Sequence, residues 1–333
     1  MFSARQRKAL DGSGTAYQDR DSSDVNKSAV LLRVDQFPSR ERSAALALEP
    51  RVSAIVVIRS AHAASLDLCL RSALAEPWID DLVIVDHGNT AEVSSALRAL
   101  QADRRDVKLA TLGAEASHAA AANFGAAKAR GRWLLFLDPS VVLERGAVAR
   151  MAAAGGGART PWIVGGRLTD TNGRDRRRAV RAGALNAWSA LAVALDWPGP
   201  RPIKKRRRKA ARHDAPEPAK VAAVSAAMML IPRGDFQALG GFDENFATDA
   251  ADLDLCRRAI DAGGSVLFQP AASGVQFLGV YAGARREAQG LALFVAKSAR
   301  TPGQKLFAFI ARPAFAVLVA VRDLVAGRPP IRR

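Results

Sequence analysis

Two aspartates stand where a short apolar run stops. Asp86 closes DDLVIVD and is followed by His87, Gly88, Asn89 and Thr90; Asp138 closes WLLFLD and is followed by Pro139 and Ser140. At the carboxyl end of a strand in an open parallel sheet, an acidic side chain faces the ligand-binding edge. It can there accept hydrogen bonds from a nucleobase or ribose, or ligate a hard divalent cation. A local reading stands beside this one, in which Asp86 opens a β-turn and Asp138 caps the turn that follows. Further on, DAADLDLCRRAI carries Asp249, Asp252 and Asp254. Leu253, Cys256 and Ile260 follow the i, i+3, i+7 spacing of a buried helical stripe. That leaves Asp252 and Asp254 off the stripe, near the helix's positive end, where carboxylates are stabilised in any case. His62, His87, His118 and His213 show no metal-ligand spacing and read as solvated or packing residues.

The elements that must position these groups are legible in the alternation of the sequence. VSAIVVI, DDLVIVD, VKLATL and WLLFLD are short β-branched or apolar runs, separated by the helical stretches SLDLCLRSAL, EVSSALRAL and SHAAAANFGAAKAR. Strands alternating with helices predict βαβ units and a mainly parallel central sheet flanked by helices, the rhythm of a nucleotide-binding α/β fold. WIVGGRLTD then predicts a strand running into the turn TNGRD, VAAVSAAMMLIPR one apolar strand, DLDLCRRAIDAG a helix and SVLFQP a strand.

Three regions follow. Residues 1–50 lack apolar periodicity and are expected to be a flexible arm. Residues 51–283 form the α/β domain, in which 198–220 reads as a basic flexible loop because of KKRRRKAAR and its prolines. Residues 284–333 are expected to be helical; LFAFIARPAFAVLVAVRDLV is their most apolar window. Arg312 and Pro313 interrupt it, so it predicts an interfacial, membrane-associating helix rather than a spanning one.

Composition narrows the partners. With 333 residues and 49% hydrophobic content the chain can build a sizeable core. A formal charge of +17 implies attraction to something anionic: a nucleotide-sugar, an anionic membrane face or nucleic acid. Nucleic acid is unlike this sequence, which has neither aromatic interleaving in its basic run nor a recognisable binding motif. Cys69 and Cys256 lie in apolar, helix-like contexts, so a disulfide framework is not expected and a reducing compartment is. The first residues hold no apolar leader, and the expected location is cytoplasmic.

Taken in order, VSAIVVI, VIVDHGNT, ANFGAAKARGRWLLFLDPSVVL, VSAAMMLIPRGDFQALGGFDENF and DLDLCRR resemble the successive signatures of family-2 glycosyltransferases of the rhamnosyltransferase-like branch. The resemblance runs from about Val52 to Gly279, and GGFDE followed by D-x-D-L-C-x-R is its most specific part. It implies a GT-A fold, a nucleotide-sugar donor, a glycan or lipid-linked acceptor, inversion at the anomeric carbon and a divalent cation, Mg²⁺ or Mn²⁺. By this likeness Asp86 contacts the nucleotide, Asn123 and Gly125 lie beside the sugar-phosphate site, and Asp138 opens the D-x-D-like metal motif. Asp252 falls on the second member of a Glu-Asp pair and is implied as general base, with Asp249 and Asp254 on the acceptor side.

This chain departs from the pattern at several positions. Ile58, Arg59 and Ser60 replace a Thr-Tyr-Asn-like strand ending, Ser140 replaces the last aspartate of the metal motif, Ala251 replaces the first acid of the pair, and Gln276 stands where a histidine is expected. Metal chelation is therefore expected to be weak, leaving the donor diphosphate to supply most ligands or arginines to substitute for the ion. A catalytically silent relative that binds or scaffolds is the alternative to an active transferase.

Overall fold

The computed structural model of the chain describes residues 51–59, 63–176, 179–181, 190, 217–246, 250–277 and 284–325. The arm expected over 1–50, most of the basic loop, Ser60, His62, His213 and Asp249 lie outside the described residues.

The first half follows the expected rhythm. β1 (Val52–Ile58), α1 (Ala63–Ala75), β2 (Ile79–His87), α2 (Ala91–Asp103), β3 (Val107–Leu112), α3 (His118–Lys128) and β4 (Trp133–Leu137) succeed one another. β1 pairs in parallel with β2 and β4, and β2 with β3. All seven residues of β1 are buried, because helices cover both faces of a parallel strand. Two helices start on side-chain caps: Thr90 Oγ1 accepts from the Val93 N–H, and Ser117 Oγ from the Ala120 N–H at 3.0 Å.

The second half adds β5 (Val141–Leu143), α4 (Ala147–Gly156), β6 (Trp162–Thr169), β7 (Val180–Arg181), β8 (Ala219–Lys220), β9 (Ala223–Val224), β10 (Met228–Pro232), α5 (Arg233–Ala238), α6 (Ala251–Asp261), β11 (Ser265–Gln276), α7 (Ala284–Ser298) and α8 (Pro302–Val325). The main sheet runs β3-β2-β1-β4-β10-β6-β11-β5, with β8 also paired to β11. It is more mixed than the run of βαβ units predicts: β10 lies antiparallel to both β4 and β6, and β5 and β8 antiparallel to β11. VAAVSAAMMLIPR is two strands rather than one. β9 leaves the main sheet to pair with β7, and Ser225, Ala226 and Ala227 turn the chain before β10 enters it. Ala219–Lys220, the end of the segment read as a loop, is already a paired strand.

Alternate side chains of β1 feed two cores. Ile55 and Val57 pack with α3, α6, α7 and α8, whereas Ala54, Val56 and Ile58 pack with α1, α2 and α4. Gly125 permits the close seat of α3, since a Cβ there would come within 2.7 Å of Ile55 Cγ2 and 2.8 Å of Val85 Cγ2. Cys69 and Cys256 are unpaired and buried, and burial pushes the Cys256 thiol up to about 12. The expected stripe on α6 is altered at one place: Leu253 and Cys256 are buried, but Ile260 is 41% exposed and Ala259 closes the stripe instead.

Candidate active site

The carboxyl ends of β1, β2 and β4 lie side by side, which brings Arg59, Asp86 with His87, and Asp138 to one edge of the sheet. Asp86 is Ile58's partner in the β1/β2 register and is 2% exposed. Its Oδ1 accepts from Asn89 Nδ2 at 2.7 Å, and its Oδ2 accepts from Ser94 Oγ. Asn89 Nδ2 also donates to the Ile58 carbonyl at 2.6 Å, stitching the ends of the two strands together. Both carboxylate oxygens are thus engaged, one by Asn89 in the turn that Asp86 opens and one by Ser94 in the first turn of α2. The geometry shows the turn-building role.

Two histidines crowd this edge. His87 Nε2 lies 3.0 Å from the Ala116 carbonyl, while its buried Nδ1 has no partner among the described residues. Desolvation lowers the pKa of His87 and of His118, in the first turn of α3, and the nearby Arg59 charge lowers both further. Asp138 pulls His118 the other way. Two imidazoles, a guanidinium and the carboxylates of Asp86 and Asp138 therefore share the strand ends.

Ser140 directs both its backbone N–H, at 2.8 Å, and its hydroxyl to Asp138 Oδ1. Only Oδ2 remains without a hydrogen bond among the described residues. No group of three or more His, Cys, Asp or Glu side chains among them is placed to hold a metal ion. A hard cation wants six or more oxygens, so one carboxylate oxygen does not amount to a protein-built site.

Asp252 stands in the first turn of α6. Its Oδ2 accepts from the Ala226 N–H at 3.2 Å and its Oδ1 from the Leu253 N–H at 2.8 Å. Desolvation raises its pKa, while those amides and the charge of Arg181 on β7 act in the opposite sense. The residue before the helix, Ala250, is held at φ 69°, a left-handed conformation that is costly for a side chain with a Cβ.

Three residues expected at the site, Asn123, Gly125 and Asp254, are held by bonds and packing within the fold. Asn123 Nδ2 donates to the Phe242 carbonyl at 2.8 Å and to Glu244 Oε1 at 2.9 Å, and its Oδ1 accepts from the Phe242 N–H at 2.9 Å. It clamps the GGFDE turn, whose Gly240 and Gly241 lie at φ 77° and 70°. Gly125 is a packing glycine. Asp254, expected off the buried stripe, is 4% exposed and bonds Arg258 at 2.8 Å and Lys297 at 3.0 Å; Arg258 in turn donates to the Gly241 carbonyl at 2.8 Å. These ion pairs fix α6 and α7 to the GGFDE turn. Among the groups at the site, Arg181 escaped the sequence reading because its two-residue strand carries no pattern, and His118 because a histidine in an alanine-rich helix start has no distinguishing spacing.

The comparisons with known proteins fit this geometry. The model of glycosyl transferase family 2 matches residues 53–229, more than half of the chain, a span that includes Asp86, Asp138 and Ala226 but ends before Asp252. A search of curated proteins finds no match. Among solved structures, GalNAc-T7 with UDP, GalNAc and Mn²⁺ is similar over 84% of this chain and 55% of its own, with a TM-score of 0.62 and 15% identity. The mannosyltransferase PcManGT from Pyrobaculum calidifontis, in complex with GDP-Man and Mn²⁺, is similar over 86% of this chain and 77% of its own, with a TM-score of 0.51 and 16% identity. The chain thus spans about half the length of the first of these. At such identities the likeness is one of fold, a GT-A-like α/β architecture.

Proposed function

Because the chain belongs to glycosyl transferase family 2, we propose that it moves a sugar from a nucleotide-sugar donor to a glycan or lipid-linked acceptor, with inversion, in cell-surface polysaccharide assembly. The order and spelling of GGFDE and DLDLCRR support placing it in the rhamnosyltransferase-like branch. In this reading an acceptor hydroxyl attacks the anomeric carbon, the bond from that carbon to the diphosphate oxygen breaks, and its electron pair leaves with the nucleoside diphosphate. The acceptor proton goes to Asp252, whose burial raises its proton affinity as a base requires. Arg59 supplies positive charge where the diphosphate gathers its negative charge, and Asp138 Oδ2, without a hydrogen bond among the described residues, is offered to a cation there.

The observation that carries the proposal is the three-residue turn between β9 and β10. It is bonded to Asp138 on one side and to Asp252 on the other, so the donor edge of the sheet and the proposed base are held by one short segment. A silent relative is the second reading, favoured by Ser140 occupying Asp138 Oδ1 and by Ala251 in place of an acid. Calorimetric titration with UDP, GDP and dTDP, each with EDTA and with Mn²⁺, tests the donor half. Binding of at least one that survives EDTA within about tenfold is expected, since one charge-assisted contact is worth on that order. Failure of all of them to bind under either condition removes the transferase reading.

A further inference from the structure

We infer that the outer face of α8 is a docking surface for an anionic membrane. Seven large apolar side chains are exposed among the described residues, and five of them lie on this one helix: Leu306, Phe309, Ile310, Val317 and Val321. Their spacing follows one side of a helix, and Phe309 is 84% exposed. The opposite side is a conventional core stripe. Ala311, Phe315 and Val319 are buried against α7, where Phe294 and Val295 are fully enclosed, and Phe307 meets Phe315 edge to face at 6.3 Å between ring centres. The helix is therefore anchored by one apolar face while presenting a second to solvent, and an ordinary surface helix has no use for the second.

The occupant follows from charge and geometry. Residues 301–333 hold six basic side chains, Lys305, Arg312, Arg322, Arg328, Arg332 and Arg333, against the single acid Asp323. A lipid surface of negative charge satisfies both the apolar stripe and the basic flanks. A second copy of the chain satisfies only the stripe, because each copy brings a formal charge of +17. Crossing the bilayer is disfavoured: no single helix among the described residues is long and apolar enough, the axis bends by 57° between Ala311 and Pro313, and the buried stripe commits half the helix to the protein core. The helix lies along the surface with Phe309 and Leu306 inserted. This inference does not depend on the sugar-transfer reading, since membrane binding involves no donor.

Sedimentation of the full chain with phosphatidylcholine vesicles, alone and mixed with equimolar phosphatidylglycerol, tests it. Binding to the mixed vesicles is expected, severalfold weaker when salt is raised and weak on phosphatidylcholine alone. The pair Leu306→Glu with Phe309→Glu should lose more than tenfold of that binding while melting as the wild type does, both positions being exposed; if that pair fails to fold, Phe309→Ser serves instead and should lose severalfold. Wild-type binding by the folded variant, or equal binding to both vesicle types, overturns the inference. So does a chain that ignores both vesicle types and forms instead a dimer that Phe309→Glu dissociates, which makes the face a contact between copies.

Discussion

Asp138 and Asp252 grip adjacent residues of the same turn: the Asp138 N–H donates to the Ala227 carbonyl at 3.0 Å, and the Ala226 N–H donates to Asp252 Oδ2 at 3.2 Å. The proposed base is thereby held in register with the carboxyl end of β4. Because desolvation raises its pKa, the ionised form that accepts a proton is depleted at a higher pH than for an ordinary aspartate, near 3.9. The rate of transfer should therefore fall as pH drops through this raised value. A pH profile of kcat/KM checks this; an acid limb at or below the ordinary aspartate value contradicts the assignment.

The parallel half of this fold was legible because each strand is a compact β-branched or apolar run and two of its three helices start on a capping Thr or Ser. The antiparallel β10 was not, since MMLIP reads alike in either direction and only its pairing partners decide. At the site, Asp86 and Asp138 were found from strand ends, but periodicity says nothing about what Ser94 or Ser140 does with their oxygens. The Asn123 clamp was not legible for a related reason: its partner Phe242 is 119 residues away, beyond any local pattern.

Asn123→Asp should be more damaging than its size implies. It removes the donor to the Phe242 carbonyl, leaving that part-buried acceptor unpaired, and sets a charge against the exposed Glu244. The expected cost is about 1–3 kcal/mol of stability, read from denaturant melts. A variant as stable as the wild type shows that the clamp on the GGFDE turn is idle.

Ala250→Gly relieves the left-handed backbone before α6. It should stabilise the protein by about 0.5–1 kcal/mol, the left-handed penalty less the extra chain entropy of glycine. Loss of stability in a thermal melt would mean that the methyl group, 7% exposed as part of the buried Ala250, matters more than its backbone.

Lys297→Met tests the ion pairs behind the turn. Burial alone would raise Asp243, but the hydrogen bonds from Lys297 and Asn245 outweigh it and hold the carboxyl low. Burial alone would likewise lower Lys297, and its bonds to Asp243 and Asp254 reverse that. A depressed carboxylate contributes stability above its unfolded pKa, and a raised lysine contributes below its own. The wild type should thus exceed the variant by about 1–2 kcal/mol between roughly pH 5 and pH 9, the partial exposure of Lys297 limiting the gain. The gap should close as pH falls through the depressed Asp243 value, and also as it rises through the raised Lys297 value. A gap independent of pH across that range assigns the effect to packing.

The central claim is that Asp252 takes the acceptor proton in a nucleotide-sugar transferase. The most direct measurement is the release of nucleoside diphosphate from a panel of nucleotide sugars, by the wild type and by Asp252→Asn, with calorimetry confirming that both bind the same diphosphate. The expected result is turnover of at least one donor by the wild type and a loss of about a hundredfold or more in the variant at nearly unchanged diphosphate affinity. Equal turnover by the two proteins, or a wild type that releases nothing from any donor it binds, contradicts it.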